Sequence, residues 1–159
     1  MNPFEAWIGA KSCFVVWRAW DKSPIDPLHS DPASDYARSN AQDPATWLSW
    51  DVASAYASAL GPGYGVGIVL HEGLGLFCVD IDGCVENDEL SALASQLVRE
   101  AFAACPDVYV EVSMSGRGVH IIGPYVGAAP PHSTKNQTLG MELYHDRRYI
   151  ALTGRRIQI

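Results

Sequence analysis

The sequence LGLFCVDID, at Leu74–Asp82, is the most informative part of the chain. Its apolar residues predict a buried strand, which ends with Asp80 and Asp82 two positions apart. Residues two apart in a strand point to the same face, so both carboxylates leave the strand side by side. Two such charges repel each other, and a hard divalent cation, Mg²⁺ or Mn²⁺, is the natural counter-ion. The alternative is a strand end followed by a turn, with both acids solvated.

Strands are predicted on both sides of this stretch, because short runs rich in β-branched and aromatic residues alternate with turn residues. We expect Gly65–Leu70 to form a hairpin with Leu74–Asp82, and Leu139–Tyr144 to pair with Arg148–Leu152 around His145-Asp146. The predicted strands are Cys13–Trp20, Gly65–Leu70, Leu74–Asp82, Val108–Ser113, Val119–Ile122, Leu139–Tyr144 and Arg148–Leu152.

Two helices are predicted between these strands. Ala45–Leu60 is expected to be helical up to Gly61, and the apolar spacing from Leu90 to Phe102 predicts a second helix, capped by Asn87 or Asp88. The proline-rich segment 21–44 predicts a long ordered loop. The pattern predicts an α+β fold with a mixed or antiparallel sheet flanked by helices. In the first predicted helix, Ala45–Leu60, the residues predicted to lie on one face are Trp47, Trp50, Val52, Tyr56 and Leu60.

Composition narrows the class of protein. The 159 residues are 48% hydrophobic, which fits one folded domain and excludes intrinsic disorder. No apolar run approaches the ~20 residues of a membrane span, so we expect a soluble protein of the cytoplasm. Net charge is −7, but the last 59 residues hold six bases against four acids. Phosphate contacts are therefore expected from the C-terminal third.

A glycine-rich turn is the second candidate for chemistry. In Ser113–His120 (SMSGRGVH), Gly116 and Gly118 flank Arg117, and such a turn exposes consecutive backbone N–H groups. Ser115, Arg117 and His120 add side-chain donors that suit phosphate oxygens. The alternative is an ordinary hairpin turn followed by a structural histidine.

The third candidate is Glu142, an acid among apolar neighbours in a predicted strand. Lone acids in strands commonly face solvent. If Glu142 faces the same side as Asp80 and Asp82, the three carboxylates form the ligand set of a two-metal site for phosphoryl displacement.

Together, Asp80-x-Asp82, Ser115-Gly116-Arg117-Gly118-x-His120 and Glu142, followed by RYIALTG at 148–154, resemble the three motifs of the archaeo-eukaryotic primase superfamily. The likeness is to the primase-polymerase domains of phages and plasmids, and it covers about Trp17 to Gly154. It implies a primase catalytic core with an RRM-like half, and residues 1–159 as a single catalytic domain, compatible with a fragment of a longer replication protein.

The resemblance also implies roles for individual residues. Asp80, Asp82 and Glu142 would be the catalytic ligands of Mg²⁺ or Mn²⁺. The nucleotide-binding residues would be Ser115, Gly116, Arg117, His120, Arg148 and Lys22. The implied activity is template-directed nucleotidyl transfer, as a DNA primase or polymerase in the replication of a mobile element. Its partners would be a DNA template or primer, an NTP or dNTP, and a helicase or helical accessory domain, without a membrane.

Two other functions fit parts of the sequence. Residues 77–83 (FCVDIDG) imitate the signature of a haloacid-dehalogenase-type phosphatase, in which Asp80 would be the nucleophile. Cys84 and the mid-chain position of the motif count against this class. The second alternative is a non-catalytic nucleic-acid-binding module in which aromatic side chains such as Tyr144 and Tyr149 stack on bases.

Overall fold

The computed structural model describes residues 1–128 and 134–158, and within them every pair of neighbouring strands is antiparallel. The α+β class is therefore confirmed, while a primase core stays a prediction. In chain order the elements are α1 (Glu5–Ile8), β1 (Phe14–Arg18), β2 (Pro24–Ile25), α2 (Trp50–Leu60), β3 (Tyr64–Leu70), β4 (Leu76–Ile81), β5 (Val85–Glu86), β6 (Glu89–Leu90), α3 (Ala92–Ala104), β7 (Tyr109–Val112), β8 (Val119–Pro124), β9 (Thr134–Asn136), β10 (Met141–Tyr144) and β11 (Arg148–Ala151).

These elements divide between two compact units. The first consists of Met1–Leu70 and Arg147–Leu152, and the second of His71–Asp146 and Thr153–Ile159. The chain therefore passes between the units after residues 70, 146 and 152. That residues 1–159 act as one catalytic domain stays a prediction.

The first unit is built on a four-stranded sheet in the order β11, β3, β1, β2. Helix α2 packs against β1 and β3, and the rings of Phe14 and Trp50 meet edge to face at 5.3 Å. Ser49 caps this helix, since its hydroxyl accepts from the backbone N–H of Val52. The apolar β1, all of whose residues are buried, thus lies at the centre of this unit.

Arg18 organises the long loop that follows β1. Its side chain is 1% exposed, and its guanidinium donates to Asp21 at 2.7 Å and to the carbonyls of Ala33 and Ser34 at 2.8 and 2.7 Å. A buried guanidinium needs this many acceptors to offset the loss of water. The predicted loop is therefore ordered by one strand residue, although it also contains β2 and a short 3-10 turn at Asp35–Ala37.

The second unit is built on a five-stranded sheet in the order β7, β8, β4, β10, β9. Strands β7 and β8 form the predicted hairpin around the glycine turn. Helix α3 lies before β7, and its N-cap is Ser91, whose hydroxyl accepts from the N–H of Ala94.

The two faces of this sheet differ in chemistry. Ile81, Val119 and Ile121 pack with Ala94 and Val98 of α3 in one buried cluster. Because side chains alternate along a strand, Asp80 and His120 point to the opposite face. Helix α3 thus packs on one face, while on the opposite face Asp80 and His120 lie next to the buried apolar residues Cys78 and Ile122 of the same two strands.

Two predicted hairpins are wrong: Gly65–Leu70 does not pair with Leu74–Asp82, and Leu139–Tyr144 does not pair with Arg148–Leu152. β3 pairs with β1 and β11, whereas β4 pairs with β8 and β10. Likewise β10 pairs with β4 and β9, and β11 pairs with β3. In both cases the chain passes from one unit to the other between the two strands. The strands are neighbours in sequence but belong to different sheets.

The helix predictions were correct in type and wrong at their starts. The first predicted helix is α2, which begins at Trp50 rather than Ala45 because Pro44–Thr46 forms a 3-10 turn. Its buried residues are Ala53 and Ala57, whereas Val52 is exposed. Asn87 and Asp88 do not cap α3. They have φ values of 51° and 64° and form the turn between β5 and β6, where Asn and Asp tolerate the left-handed region.

None of the helices within residues 1–128 and 134–158 has the length and apolar character needed to cross a membrane.

Candidate active site

Five polar side chains form one row across the sheet of the second unit. The strand registers place Glu111 opposite His120, His120 opposite Asp80, Asp80 opposite Glu142, and Glu142 opposite Lys135. Residues directly opposite each other in antiparallel strands share a face, with Cβ atoms about 4.5–5.5 Å apart. We call Glu111, His120, Asp80, Glu142 and Lys135 the polar row. Within the polar row, side chains of like charge are neighbours only where Asp80 lies opposite Glu142.

That point is the pair Asp80 and Glu142, on neighbouring strands β4 and β10. Their side chains are 21% and 19% exposed, so neither is fully solvated. Asp82 follows β4 and is exposed, and its backbone N–H donates to the carbonyl of Gly140 at 2.8 Å, just before β10. Asp80 and Glu142 thus lie side by side in the sheet. The backbone of Asp82, the third predicted ligand, is hydrogen-bonded to Gly140, two residues before Glu142.

Each of these two acids already has a basic neighbour. The carboxylate of Glu142 contacts the Lys135 ammonium on β9, and Oδ1 of Asp80 lies 3.8 Å from Nε2 of His120. The second distance exceeds a hydrogen bond, so His120 is directed toward Asp80 rather than bonded to it.

His120 is held from behind by a buried acid. Glu111 has no exposed surface, and its Oε1 lies 3.0 Å from Nδ1 of His120. Its Oε2 accepts from the Tyr109 hydroxyl at 2.8 Å and from the N–H groups of Thr153 and Gly154, each at 2.9 Å. Burial acts to raise the pKa of Glu111, but the hydrogen bonds from His120, Tyr109 and Thr153 outweigh it and hold the pKa below its usual range.

The glycine turn lies between β7 and β8, next to the polar row. Ser113 N–H donates to the Gly118 carbonyl at 2.8 Å, and the Ser115 hydroxyl accepts from the N–H of Arg117 at 3.2 Å. Ser115 and Arg117 are exposed, and Gly116 has a φ of 75°. The Arg155 guanidinium donates to the carbonyl of Ser113. The turn is therefore fixed by its own hydrogen bonds, and its side chains face solvent.

A cavity of about 400 Å³ opens beside this turn, between Gly116-Arg117 and the β5–β6 turn, and it is lined by Gly83, Val85, Glu86, Asn87, Asp88, Gly116 and Arg117.

The donor chemistry of Asp80, Asp82 and Glu142 fits a hard divalent cation, because all three supply carboxylate oxygens. Within residues 1–128 and 134–158, however, no three His, Cys, Asp or Glu side chains are gathered as a ready metal site. In this structure Lys135 contacts Glu142 and would compete with a cation for its carboxylate. The role of these three acids as metal ligands stays a prediction.

Other predicted binding residues lie in the first unit. Lys22 follows β1, with a φ of 55°, and its carbonyl accepts from the Tyr149 hydroxyl. Arg148 begins β11 opposite Leu70. Their part in nucleotide binding stays a prediction. The basic residues of the C-terminal third also divide, since Arg147 and Arg148 belong to the first unit while Arg155 and Arg156 belong to the second.

Two members of the polar row were missed at the level of sequence. Glu111 could have been found, because a hairpin around Met114–Gly118 places it opposite His120. Lys135 gave no such signal, since it lies in a short strand that no sequence pattern predicted.

Comparison of the chain with protein-family models and with curated protein sequences finds no match.

Proposed function

We propose that the polar row and the adjoining glycine turn form the active site of a template-directed nucleotidyltransferase of the primase-polymerase type. The substrates would be an NTP or dNTP and a DNA template or primer, and the metal would be Mg²⁺ or Mn²⁺. The proposal includes the biological role that the motifs suggest, replication of a mobile element's DNA.

One observation carries this proposal: the register that pairs Asp80 with Glu142 on adjacent strands. Sixty-two residues apart in sequence, these acids are direct neighbours on a face that α3 leaves uncovered. Two adjoining, partly buried carboxylates need positive charge close by, which Lys135 and His120 supply in this structure, and such a pair is what a metal-dependent phosphoryl-transfer site requires. If Glu142 were only a solvated surface acid, there would be no reason for a second acid directly opposite it on the neighbouring strand.

The chemistry of this reaction matches the groups present. A primer 3′-hydroxyl oxygen attacks the α-phosphorus, the bond from that phosphorus to the bridging oxygen breaks, pyrophosphate leaves, and the hydroxyl proton passes to solvent. Divalent ions, when bound, stabilise the attacking and leaving oxygens. Asp80, Asp82 and Glu142 would hold them, while the side chains of Arg117 and His120 would donate to the triphosphate oxygens; the N–H groups of Gly116 and Arg117 already donate within the turn.

The first prediction tests this reaction with an isosteric substitution. Glu142→Gln should reduce primer extension on a DNA template with Mn²⁺ and nucleotides by at least about 100-fold, since loss of a ligand exceeds the usual effect of second-shell changes. Glu89→Gln is the matched control, because Glu89 is an exposed strand acid of the same unit. Incorporation of labelled nucleotide is measured for both variants and the wild type.

The outcomes separate the classes of function. Full synthesis by the Glu142→Gln variant would overturn the proposal. DNA binding without synthesis by the wild type, unchanged in an Asp80→Asn variant, would favour the non-catalytic module. Phosphate release from a small phosphomonoester, without nucleotide incorporation, would favour the phosphatase.

A further inference from the structure

We propose that Glu111 is a positioning residue, which fixes the tautomer and the direction of the His120 ring so that Nε2 faces Asp80. The ring position is argued from geometry alone, while its use in binding a triphosphate rests on the proposed function.

The contacts of Glu111 are too complete for an incidental buried acid. Both oxygens are used, Oε1 by His120 and Oε2 by three donors. An isolated buried carboxylate is expensive, whereas one that accepts four hydrogen bonds is a rigid anchor. Of these four donors, only His120 belongs to the polar row. Glu111 therefore acts on the His120 ring.

The hydrogen-bond inventory then fixes the tautomer. An ionised carboxylate only accepts, so Nδ1 of His120 must carry a proton to bond to Oε1. The second ring nitrogen, Nε2, is left to face Asp80 at 3.8 Å. The arrangement resembles the way in which outer-shell carboxylates orient histidines in other sites.

The substitution Glu111→Gln should reverse the direction of the hydrogen bond between this side chain and Nδ1 of His120. An amide has one accepting oxygen and one donating nitrogen, while the pocket offers three donors on the Oε2 side. The amide oxygen should therefore turn to Tyr109, Thr153 and Gly154, and the amide nitrogen should face His120. Nδ1 would then have to accept and would carry no proton.

Nitrogen NMR of uniformly labelled protein tests this directly. In the wild type we expect Nδ1 of His120 to carry a proton, because it donates to Oε1 of Glu111. In Glu111→Gln we expect Nδ1 to move to the chemical-shift class of an unprotonated ring nitrogen, while Glu89→Gln keeps the wild-type pattern. His120→Gln assigns the resonances, and thermal unfolding verifies that each variant is folded.

A wild-type ring with no proton on Nδ1 would overturn the inference even if Glu111→Gln does not fold. An unchanged tautomer in a folded Glu111→Gln variant would also overturn it, because the ring would then be held by other groups.

A second readout separates this inference from the proposed function. With dATP or ATP and Mn²⁺, Glu111→Gln should raise the nucleotide KM about 10- to 100-fold and change kcat less, because the ionised carboxylate that holds the His120 ring in place is lost. An equal fall in kcat with constant KM would overturn a role in nucleotide binding. Failure of the wild type to bind either nucleotide would overturn the proposed function, while the NMR result would still decide whether Glu111 positions His120.

Discussion

Lys135 is the residue that competes most directly for the candidate metal site. Its ammonium contacts Glu142, yet the side chain is 59% exposed, so the ion pair is screened by water. Such a pair contributes on the order of 1 kcal/mol or less, which a divalent cation can overcome. Lys135 therefore neutralises Glu142 when no metal is bound, without closing the site to one.

This competition gives a prediction at the level of a single residue. Lys135→Met should raise the affinity for Mn²⁺ about two- to fivefold, because Glu142 no longer has to give up an ion pair. Titration of Mn²⁺ without nucleotide, followed by calorimetry, measures the change. Lys11→Met is the control, since Lys11 is an exposed lysine of the first unit. Equal affinity in the wild type and Lys135→Met would show that the ion pair does not limit binding.

The site residues differ in how far the sequence could predict them. Asp80, Glu142 and His120 stand out because each interrupts an apolar strand. Glu111 does so too, but its meaning depends on the hairpin register and on Thr153 and Gly154, more than forty residues away. Pairing partners at that separation depend on tertiary structure, which local pattern does not contain.

At the level of elements, the glycine turn depends on a close approach between two strands. A Cβ atom at Gly118 would lie 2.8 Å from the backbone carbonyl oxygen of Ile81 and from the hydroxyl of Ser113. Backbone atoms of β4 cannot move aside without disturbing Asp80. Gly118 is therefore required where the turn enters β8.

Gly118→Ala should lower the free energy of unfolding by about 1–3 kcal/mol, the usual cost of overpacking. Gly123→Ala is the control in the same strand, because its added Cβ would meet only side chains, at 3.3 Å or more, and should cost less. Urea unfolding followed by circular dichroism measures both. A smaller loss in Gly118→Ala than in Gly123→Ala would contradict the backbone clash.

Strand existence was easier to predict than strand pairing. The sequence patterns of β1, β4, β7, β8, β10 and β11 are short apolar runs, and these strands form where they were expected. Two short turns, His71-Glu72-Gly73 and His145-Asp146, nevertheless joined strands of different sheets. Turn residues permit a hairpin, but burial of each strand's apolar face selects its partner.

For the whole molecule, acid is expected to weaken both units. Asp21 in the first unit has its pKa lowered, chiefly by the hydrogen bond from Arg18, and Glu111 in the second has its pKa lowered by its donors. A carboxyl group with a lowered pKa stabilises the folded state above its unfolded pKa, which is about 4. That contribution is lost as the pH falls through the lower, folded pKa.

Glu111→Gln should therefore be less stable than the wild type at pH 7, and the difference should shrink as the pH falls below about 4. Urea unfolding at several pH values, followed by circular dichroism, gives the two curves. All five tryptophans lie in residues 1–70, so fluorescence follows the first unit and cannot replace this measurement. A difference in stability that is constant with pH would mean that Glu111 is not ionised through a lowered pKa.

The chain passes between the two units three times, and this affects what recombination within the gene can produce. The first unit needs β11, and the buried acid of the second needs the amides of residues 153 and 154. A single crossover with a related gene would therefore combine, within at least one unit, segments from two parent sequences. Those segments would have to pack against each other in one sheet or one buried hydrogen-bond cluster.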